Sequence, residues 1–206
     1  MKMKKLLCGS VIIGCFGISA SHVLAVEVNG TDTATITVNG SLGQDNTDED
    51  AVNIAEGSED WINVTIDTAN IFYTTKESQH KMITSPNYSI ANNSGRAVKV
   101  KVVDFSVNSG NLDNVDTLKI SGKDYSSIEK SIDLKAFTSS EFLTLANNQG
   151  KLNIDIDPAG SYAKTTSYSY SGTTKNDYYE AKAEKTAHTL TLTFEALGRD
   201  GVSTAP

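Results

Sequence analysis

Val98-Lys99-Val100-Lys101-Val102 carries the clearest strand pattern in the chain. Valine and lysine alternate with the period of two that is typical of a β-strand with one buried face and one wet face. Just before it, the turn-forming run Asn92-Asn93-Ser94-Gly95 separates it from the short segment Tyr88-Ser89-Ile90-Ala91. This spacing predicts a β-hairpin that joins residues 88–91 to residues 97–105.

The same alternation recurs along most of the chain. It is clear in four further stretches, Thr33–Val38, Trp61–Asp67, Lys151–Ile156 and Thr189–Phe194. Shorter candidate strands lie at residues 71–73, 118–120 and 132–134. Residues 139–148 fit neither period well and are interpreted as a short helix or turn. Because turn residues separate these stretches and helix signals are few, the sequence predicts an all-β fold: an antiparallel β-sandwich of about eight or nine strands, with at most one or two short helices.

The N-terminus is interpreted as a secretory signal peptide over residues 1–25. Lysines near the start are followed by the uncharged run Leu6–Ala20 and by a Val-Leu-Ala sequence ending at Ala25, after which cleavage is expected. The apolar run falls short of the roughly 20 residues that span a membrane, so the mature chain is predicted to be secreted and to have no transmembrane helix. Cys15 leaves an alternative open, because Ile-Ile-Gly-Cys partly matches a lipoprotein box and a lipidated cysteine would anchor the protein to a membrane.

Cysteine content and charge limit what the exported chain can be. Both cysteines, Cys8 and Cys15, lie in the signal peptide, so cleavage leaves a domain without disulfides, which favours a bacterial source. Residues 26–206 have the length of a single domain. The three lysines of the signal peptide leave with it, and the remaining 15 basic and 25 acidic residues give a net charge of −10. That charge argues against nucleic acid or anionic lipid as partners.

Two stretches predict exposed chain. Residues 44–60 hold seven carboxylates and few apolar side chains, and they are interpreted as a solvated acidic loop. Residues 198–206 have no pattern and are interpreted as a flexible tail. The run Asp45–Asp50 could hold Ca²⁺ through carboxylate oxygens, but it lacks the EF-hand spacing and the glycine at the sixth position. The sequence therefore predicts no metal site and no cofactor.

Catalytic motifs are scarce in the mature chain. Its two histidines, His80 and His188, do not have a metal-binding spacing. Neither a His-Glu-x-x-His nor a Gly-x-Ser-x-Gly sequence is present. The protein is therefore predicted not to be an enzyme, while a secreted hydrolase with an unrecognised site stays open as an alternative.

Tyrosine is concentrated in one part of the chain. Five of the eight tyrosines fall within 18 positions, among serine, threonine and glycine: Tyr162, Tyr168, Tyr170, Tyr178 and Tyr179. These five are the candidate ligand-binding residues, because tyrosine rings suit contact with sugars or proteins and Tyr168 and Tyr170 would share one face of a strand. The alternative is a hairpin with ordinary aromatic cross-strand pairs. Trp61, the only tryptophan, is interpreted as a core or rim residue.

The segment from Trp61 to Phe105 resembles WxL-type surface proteins of low-GC Gram-positive bacteria. The resemblance rests on Trp-Ile-Asn-Val-Thr-Ile at 61–66, Ile-Phe-Tyr-Thr at 71–74, the run from Ser85 to Val100 and the closing strand Thr189–Leu197. It implies a β-sandwich held non-covalently at the peptidoglycan, working with partner surface proteins. The chain has no Trp-x-Leu motif, so the wall attachment tied to those motifs is not carried over to particular residues.

These observations predict a secreted, non-catalytic cell-surface protein of a Gram-positive bacterium. Its expected partners are a cell-wall polymer such as peptidoglycan, or other surface proteins, in an adhesion role. A second interpretation is a structural subunit of an extracellular fibre or matrix, in which strand edges are donated between copies.

Overall fold

The computed structural model describes residues 45–175 and 184–204 of the 206-residue chain. A single turn of 3₁₀ helix covers Glu59–Trp61. The strands are β1 (Val64–Ile66), β2 (Tyr73–Thr74), β3 (Met82–Thr84), β4 (Tyr88–Asn92), β5 (Val98–Ser109), β6 (Val115–Lys123), β7 (Glu129–Asp133), β8 (Ser140–Leu145), β9 (Thr165–Thr174) and β10 (Ala187–Ala196). They form two antiparallel sheets, which confirms the predicted all-β fold, with ten strands rather than eight or nine.

Several predicted features lie outside the described residues. They are the signal peptide with Cys15 and Ala25, the strand Thr33–Val38, and the tyrosines Tyr178 and Tyr179. Within residues 45–175 and 184–204, no helix has the length and apolar character needed to cross a membrane.

The larger sheet is built around β9. This strand pairs on one edge with β4 and β3 and on the other edge with β6, while β1, β2 and β7 extend the sheet outward. A central place suits β9 because Thr165–Thr174 contains no charged residue and no proline. Gly172 is needed where β9 meets β6, since a Cβ there would lie 2.0 Å from the carbonyl oxygen of Thr117.

The smaller sheet has the order β10-β5-β8 and contains the stretch that best predicts the fold. Val98, Val100 and Val102 of β5 are fully buried, and Val100 and Val102 belong to the core shared with the larger sheet. The lysines between them face outward and form ion pairs across the sheet. Lys99 pairs with Glu141 of β8 at 3.0 Å, and Lys101 pairs with Glu195 of β10 at 2.8 Å. The alternation therefore assigns the two faces of this sheet correctly.

The predicted hairpin between residues 88–91 and 97–105 is wrong. β4 pairs with β1 and β9, whereas β5 pairs with β10 and β8, so the two strands lie in different sheets. The connecting turn passes from one sheet to the other, and its polar groups are buried. Asn92 Nδ2 donates hydrogen bonds to the carbonyl oxygens of Arg96 and Ala146, both at 2.8 Å. This side chain ties the crossing to the residue that follows β8.

Two further local predictions are wrong. Residues 139–148, expected to form a short helix or turn, contain β8, which pairs with β5. Lys151–Ile156, expected to be a strand, forms turns, because Asp157 Oδ2 accepts hydrogen bonds from the amides of Leu152 at 3.0 Å and Asn153 at 2.7 Å. Side chains that bind nearby backbone amides in this way compete with a strand ladder.

The acidic segment, residues 45–60, lies against the sandwich through paired charges. Arg96 is buried, its guanidinium carbon lies 4.0 Å from the Trp61 ring centroid, and it forms a two-point ion pair with Glu56. Lys151 Nζ lies 2.9 Å from a carboxylate oxygen of Glu49. Trp61 is fully buried, in agreement with its interpretation as a core residue.

The described part of the predicted tail, residues 198–204, also contacts this region. Arg199 donates from Nε to Asp155 at 2.7 Å and from Nη1 to Asp50 at 2.9 Å. The Gly198 amide donates to the Val202 carbonyl at 2.8 Å and closes a turn. These bonds join the acidic segment to the residues that follow β10.

Candidate ligand-binding site

A cavity of about 880 Å³ lies between the two sheets, beside β10. The larger sheet contributes Tyr168 and Tyr170 of β9, and the smaller sheet contributes Phe105 of β5. Further apolar lining comes from Ile66, Ile71, Phe72, Ile83, Leu112, Val115, Leu190, Leu192 and Phe194. Concave sites of this size that are lined mainly by apolar and aromatic side chains are typical binding sites.

Tyrosine hydroxyls of β9 hold the 67–71 loop, which forms one wall of the cavity. The Tyr168 hydroxyl donates to the Asp67 carbonyl at 3.0 Å, and the Tyr170 hydroxyl donates to Asn70 Oδ1 at 3.1 Å. Asn70 Nδ2 returns a bond to the Asp67 carbonyl at 2.9 Å. The loop therefore has a fixed position over the tyrosine rings.

Tyr88 of β4 is the third member of this group. Its hydroxyl accepts a hydrogen bond from the Ile71 amide at 2.6 Å and donates one to the Ile71 carbonyl at 2.8 Å. The Tyr88 ring packs against Tyr168 and Tyr170, with ring centroids 5.5 and 6.0 Å away. Tyr88, Tyr168 and Tyr170 are called the tyrosine clasp below.

The predicted ligand-binding tyrosines that the structure describes do not all lie together. Tyr168 and Tyr170 share the inner face of β9, and both are buried with their hydroxyls already bonded. Burial raises the pKa of Tyr168 to about 12 and also raises the pKa of Tyr170, so both stay neutral. Tyr162 lies apart from them and packs edge-on against Tyr125, with 5.2 Å between the ring centroids. The tyrosine rings of β9 thus line the cavity, while their hydroxyls form hydrogen bonds with the 67–71 loop.

His188 lies inside the cavity wall between two phenylalanines. Its imidazole stacks on Phe105 with ring centroids 4.9 Å apart and lies 5.8 Å from the ring of Phe72. Both imidazole nitrogens are shielded from solvent and have no hydrogen-bond partner among the described residues. Burial lowers the pKa of His188 below its ordinary value, so the ring is neutral at pH 7.

β10 presents an apolar row to the cavity. His188, Leu190, Leu192 and Phe194 alternate with exposed threonines, and all four are only partly buried. Leu190, Leu192 and Phe194 face the cavity because their cross-strand partners on β5 belong to the inner face, as in the pairing of Leu190 with Phe105. His188 continues the same alternation by one step. The alternation of Thr189–Phe194, extended by one residue, is the sequence signal that places His188 on the apolar face.

The two histidines and the carboxylates of the acidic run lie in separate places in the described part of the chain. No group of three or more His, Cys, Asp or Glu side chains could hold a metal ion there. Asp45 Oδ1 accepts from the backbone and hydroxyl of Thr47, and Asp48 Oδ1 accepts from the Asp50 amide. His80 lies in a turn, and its Nδ1 is 2.9 Å from the hydroxyl oxygen of Thr74. The structure keeps His80 and His188 in separate surroundings.

No protein-family model matches the chain, and no curated protein has a significantly similar sequence.

Proposed function

We propose that this is a secreted, non-catalytic surface protein that binds an apolar segment of a partner surface protein in the cavity beside β10. The observation that carries the proposal is the cavity itself, together with the partly buried apolar row of β10 that faces it. Partly exposed leucine and phenylalanine side chains, grouped on one strand, gain from being covered by another apolar surface.

The hydrogen bonds already made by the lining favour a protein partner over a glycan. Polar residues line the cavity as well, but Asn114 Nδ2, for example, donates to Glu184 Oε1 at 2.9 Å. A glycan brings many hydroxyls, which need hydrogen-bond partners when they are buried. The tyrosine clasp has already used its hydroxyls on the 67–71 loop, and Asp67 Oδ2 accepts from the Ser89 amide at 2.7 Å. An apolar protein segment makes no such demand. Such a segment can cover the apolar side chains of the lining without needing the hydroxyls that are already bonded.

Charge supports the same choice. With a net charge of −10 after removal of the predicted signal peptide, the protein is repelled by polyanionic wall polymers at long range. The resemblance to WxL-type surface proteins also favours work with partner surface proteins, although the Trp-x-Leu motifs are missing. Secretion rests on the N-terminal sequence of residues 1–25.

Binding to cell walls before and after protease treatment tests the proposal. Purified walls of the producing cells are divided, one half is stripped of protein by protease, and the mature chain is added to both. We expect retention on untreated walls and little retention on stripped walls. Equal retention on both would show that the chain binds the wall polymer and not a partner protein. Leu192→Gln should reduce retention, and Thr191→Gln, on the opposite face of β10, serves as the matched control.

A structural subunit of a fibre is the second candidate, and the edge of the smaller sheet favours it. β10 pairs only with β5 among the described strands, and its residues Ala187–Phe194 include no lysine, arginine or proline. Natural edge strands usually carry such residues to prevent pairing with other chains. Polymers that lengthen with protein concentration in electron micrographs would support this candidate. A mass that stays monomeric in light scattering at all concentrations would count against it.

A further inference from the structure

His188 carries two polar atoms that nothing satisfies in the described part of the chain. A neutral imidazole has one N–H donor and one acceptor nitrogen, and both are shielded from solvent in the cavity wall. Buried polar groups in native proteins nearly always have partners, so an exception needs an explanation. The position of His188 among the apolar lining residues indicates that its partner comes from a bound molecule.

We propose that His188 hydrogen-bonds the hydroxyl of a tyrosine side chain that the partner protein inserts into the cavity. This inference rests on the proposed function and names the chemistry of the segment that is bound. His188 then acts as the residue that determines specificity, and the apolar row of β10 supplies the surface that covers the ring.

An aromatic side chain fits the rings that surround the site. Phe72 and Phe105 flank His188, and Tyr170 lies 6.3 Å from Phe72. Aromatic pairs at such distances stabilise each other beyond the burial of their area. A ring that enters beside Leu190 would meet aromatic faces on both sheets.

A hydroxyl fits His188 better than a charged group does. A neutral imidazole can donate to a hydroxyl or accept from it, whichever nitrogen carries the proton. A carboxylate would need the protonated ring for a strong bond, and burial beside Phe72 and Phe105 disfavours that form. Rejection of a phenylalanine side chain follows, because it would leave both nitrogens unpaired.

Because both imidazole nitrogens are shielded from solvent, a neighbouring side chain has to move for the hydroxyl to reach them, and the proposal assigns this motion to Phe72, whose ring centroid lies 5.8 Å from that of His188. Phe72 is partly buried and follows the 67–71 loop, which the tyrosine clasp holds in place. The proposal needs rotation of the Phe72 side chain only, with the 67–71 loop left in place. The motion is local because the backbone on either side belongs to the fixed loop and to β2.

The test compares two small probes that differ by one hydroxyl. p-Cresol has the side chain of tyrosine and toluene that of phenylalanine. Each is titrated into the mature chain, with binding followed by NMR shifts of the Leu190 and Leu192 methyl groups and of the His188 ring nitrogens. We expect p-cresol to bind about threefold to tenfold tighter than toluene, although toluene is the more hydrophobic. Only p-cresol should move the imidazole nitrogen resonances.

Two variants make the result specific to the imidazole. His188→Phe should reverse the preference, so that toluene binds tighter, whereas Thr191→Val, on the outer face of β10, should keep it. Should His188→Phe fail to fold, the nitrogen shifts of the unaltered protein decide the matter. Toluene binding as tightly as p-cresol, or p-cresol without movement of the His188 nitrogens, would overturn the role of His188 and leave the cavity as a binding site. No methyl shift with either probe would overturn the cavity and, with it, the proposed function.

Discussion

The imidazole of His188 stacks on the ring of Phe105, with 4.9 Å between the ring centroids and 16° between the planes. The imidazole occupies a position where an aliphatic or aromatic side chain could be buried without leaving a polar atom unpaired. Its two nitrogens lose water without gaining a partner from the described residues. The position is therefore suboptimal for folding, which is common where a residue serves binding.

Replacement of this ring should stabilise the protein. His188→Phe removes two unsatisfied nitrogens and keeps a flat ring between Phe72 and Phe105. We expect the free energy of unfolding at pH 7 to rise by about 1–3 kcal/mol, measured by urea denaturation. Thr191→Val, on the exposed face of the same strand, should change it by less than about 0.5 kcal/mol. A fall in stability for His188→Phe would mean that the imidazole makes a favourable contact.

Stability should also depend on pH through His188. Burial lowers the pKa of the folded-state imidazole below its ordinary value near 6.5, so the unfolded chain binds the proton more readily. The stabilising effect of the neutral ring is complete above pH 6.5 and is lost as the pH falls below it. Unfolding free energies measured between pH 7.5 and pH 5 should therefore decrease toward acid in the unaltered protein.

The same series with His188→Phe separates this effect from that of the carboxylates. Glu56 and Glu195 have lowered pKa values, through the hydrogen bond from Arg96 to Glu56 and those from Lys101 and Ser203 to Glu195, against the opposing effect of burial. Their contribution is lost only below their ordinary values near 4.5. In His188→Phe the decrease between pH 7 and pH 5 should largely vanish. An unchanged slope would assign the decrease to other groups.

The tyrosine clasp should be needed for the position of the 67–71 loop. Tyr88→Phe removes the hydroxyl that bonds both the amide and the carbonyl of Ile71. We expect a loss of about 1–3 kcal/mol in the free energy of unfolding and faster hydrogen exchange of the Ile71 amide. Tyr162→Phe, outside the clasp, should leave both quantities nearly unchanged. Unaltered exchange at Ile71 would show that the loop holds its place without Tyr88.

Arg96 should anchor the acidic segment. Arg96→Met removes the cation that contacts the Trp61 ring and leaves Glu56 without its ion-pair partner. We expect a loss of about 2–3 kcal/mol, with the pKa of Glu56 returning toward its ordinary value and faster proteolysis within residues 45–60. Arg199→Met, which removes two exposed ion pairs, should cost less than about 1 kcal/mol. Equal losses for the two variants would contradict the special role of Arg96.

The sequence predicts strands well where side chains alternate strictly. Val98–Val102 and Thr189–Phe194 each show one apolar and one polar face, and both lie in the smaller sheet as strands with those faces. Lys151–Ile156 shows the same alternation and forms turns, because the nearby Asp157 side chain binds its backbone amides. Periodicity shows which segments are compatible with a strand. It does not show whether a nearby side chain will bind the backbone amides and prevent strand pairing.

Pairing and the site are harder to predict, because both depend on contacts between distant residues. A turn between residues 91 and 97 is visible in the sequence, but its passage from one sheet to the other depends on Asn92 reaching Ala146. The cavity likewise brings Phe72, Phe105 and His188 together from three separate strands or loops. The tyrosine-rich stretch points to β9, which is one wall of the site.

Site-specific photo-crosslinking at two adjacent positions of β10 tests whether a partner protein is bound in the cavity. A photoreactive phenylalanine analogue is placed at Leu192, which lines the cavity, or at Thr193, which faces outward, and the protein is irradiated on the producing cells. We expect one surface protein to be captured from position 192 and not from position 193, and we expect excess p-cresol to compete with it. Capture from position 193 alone, or equal capture from both positions, would contradict a partner that is bound in the cavity.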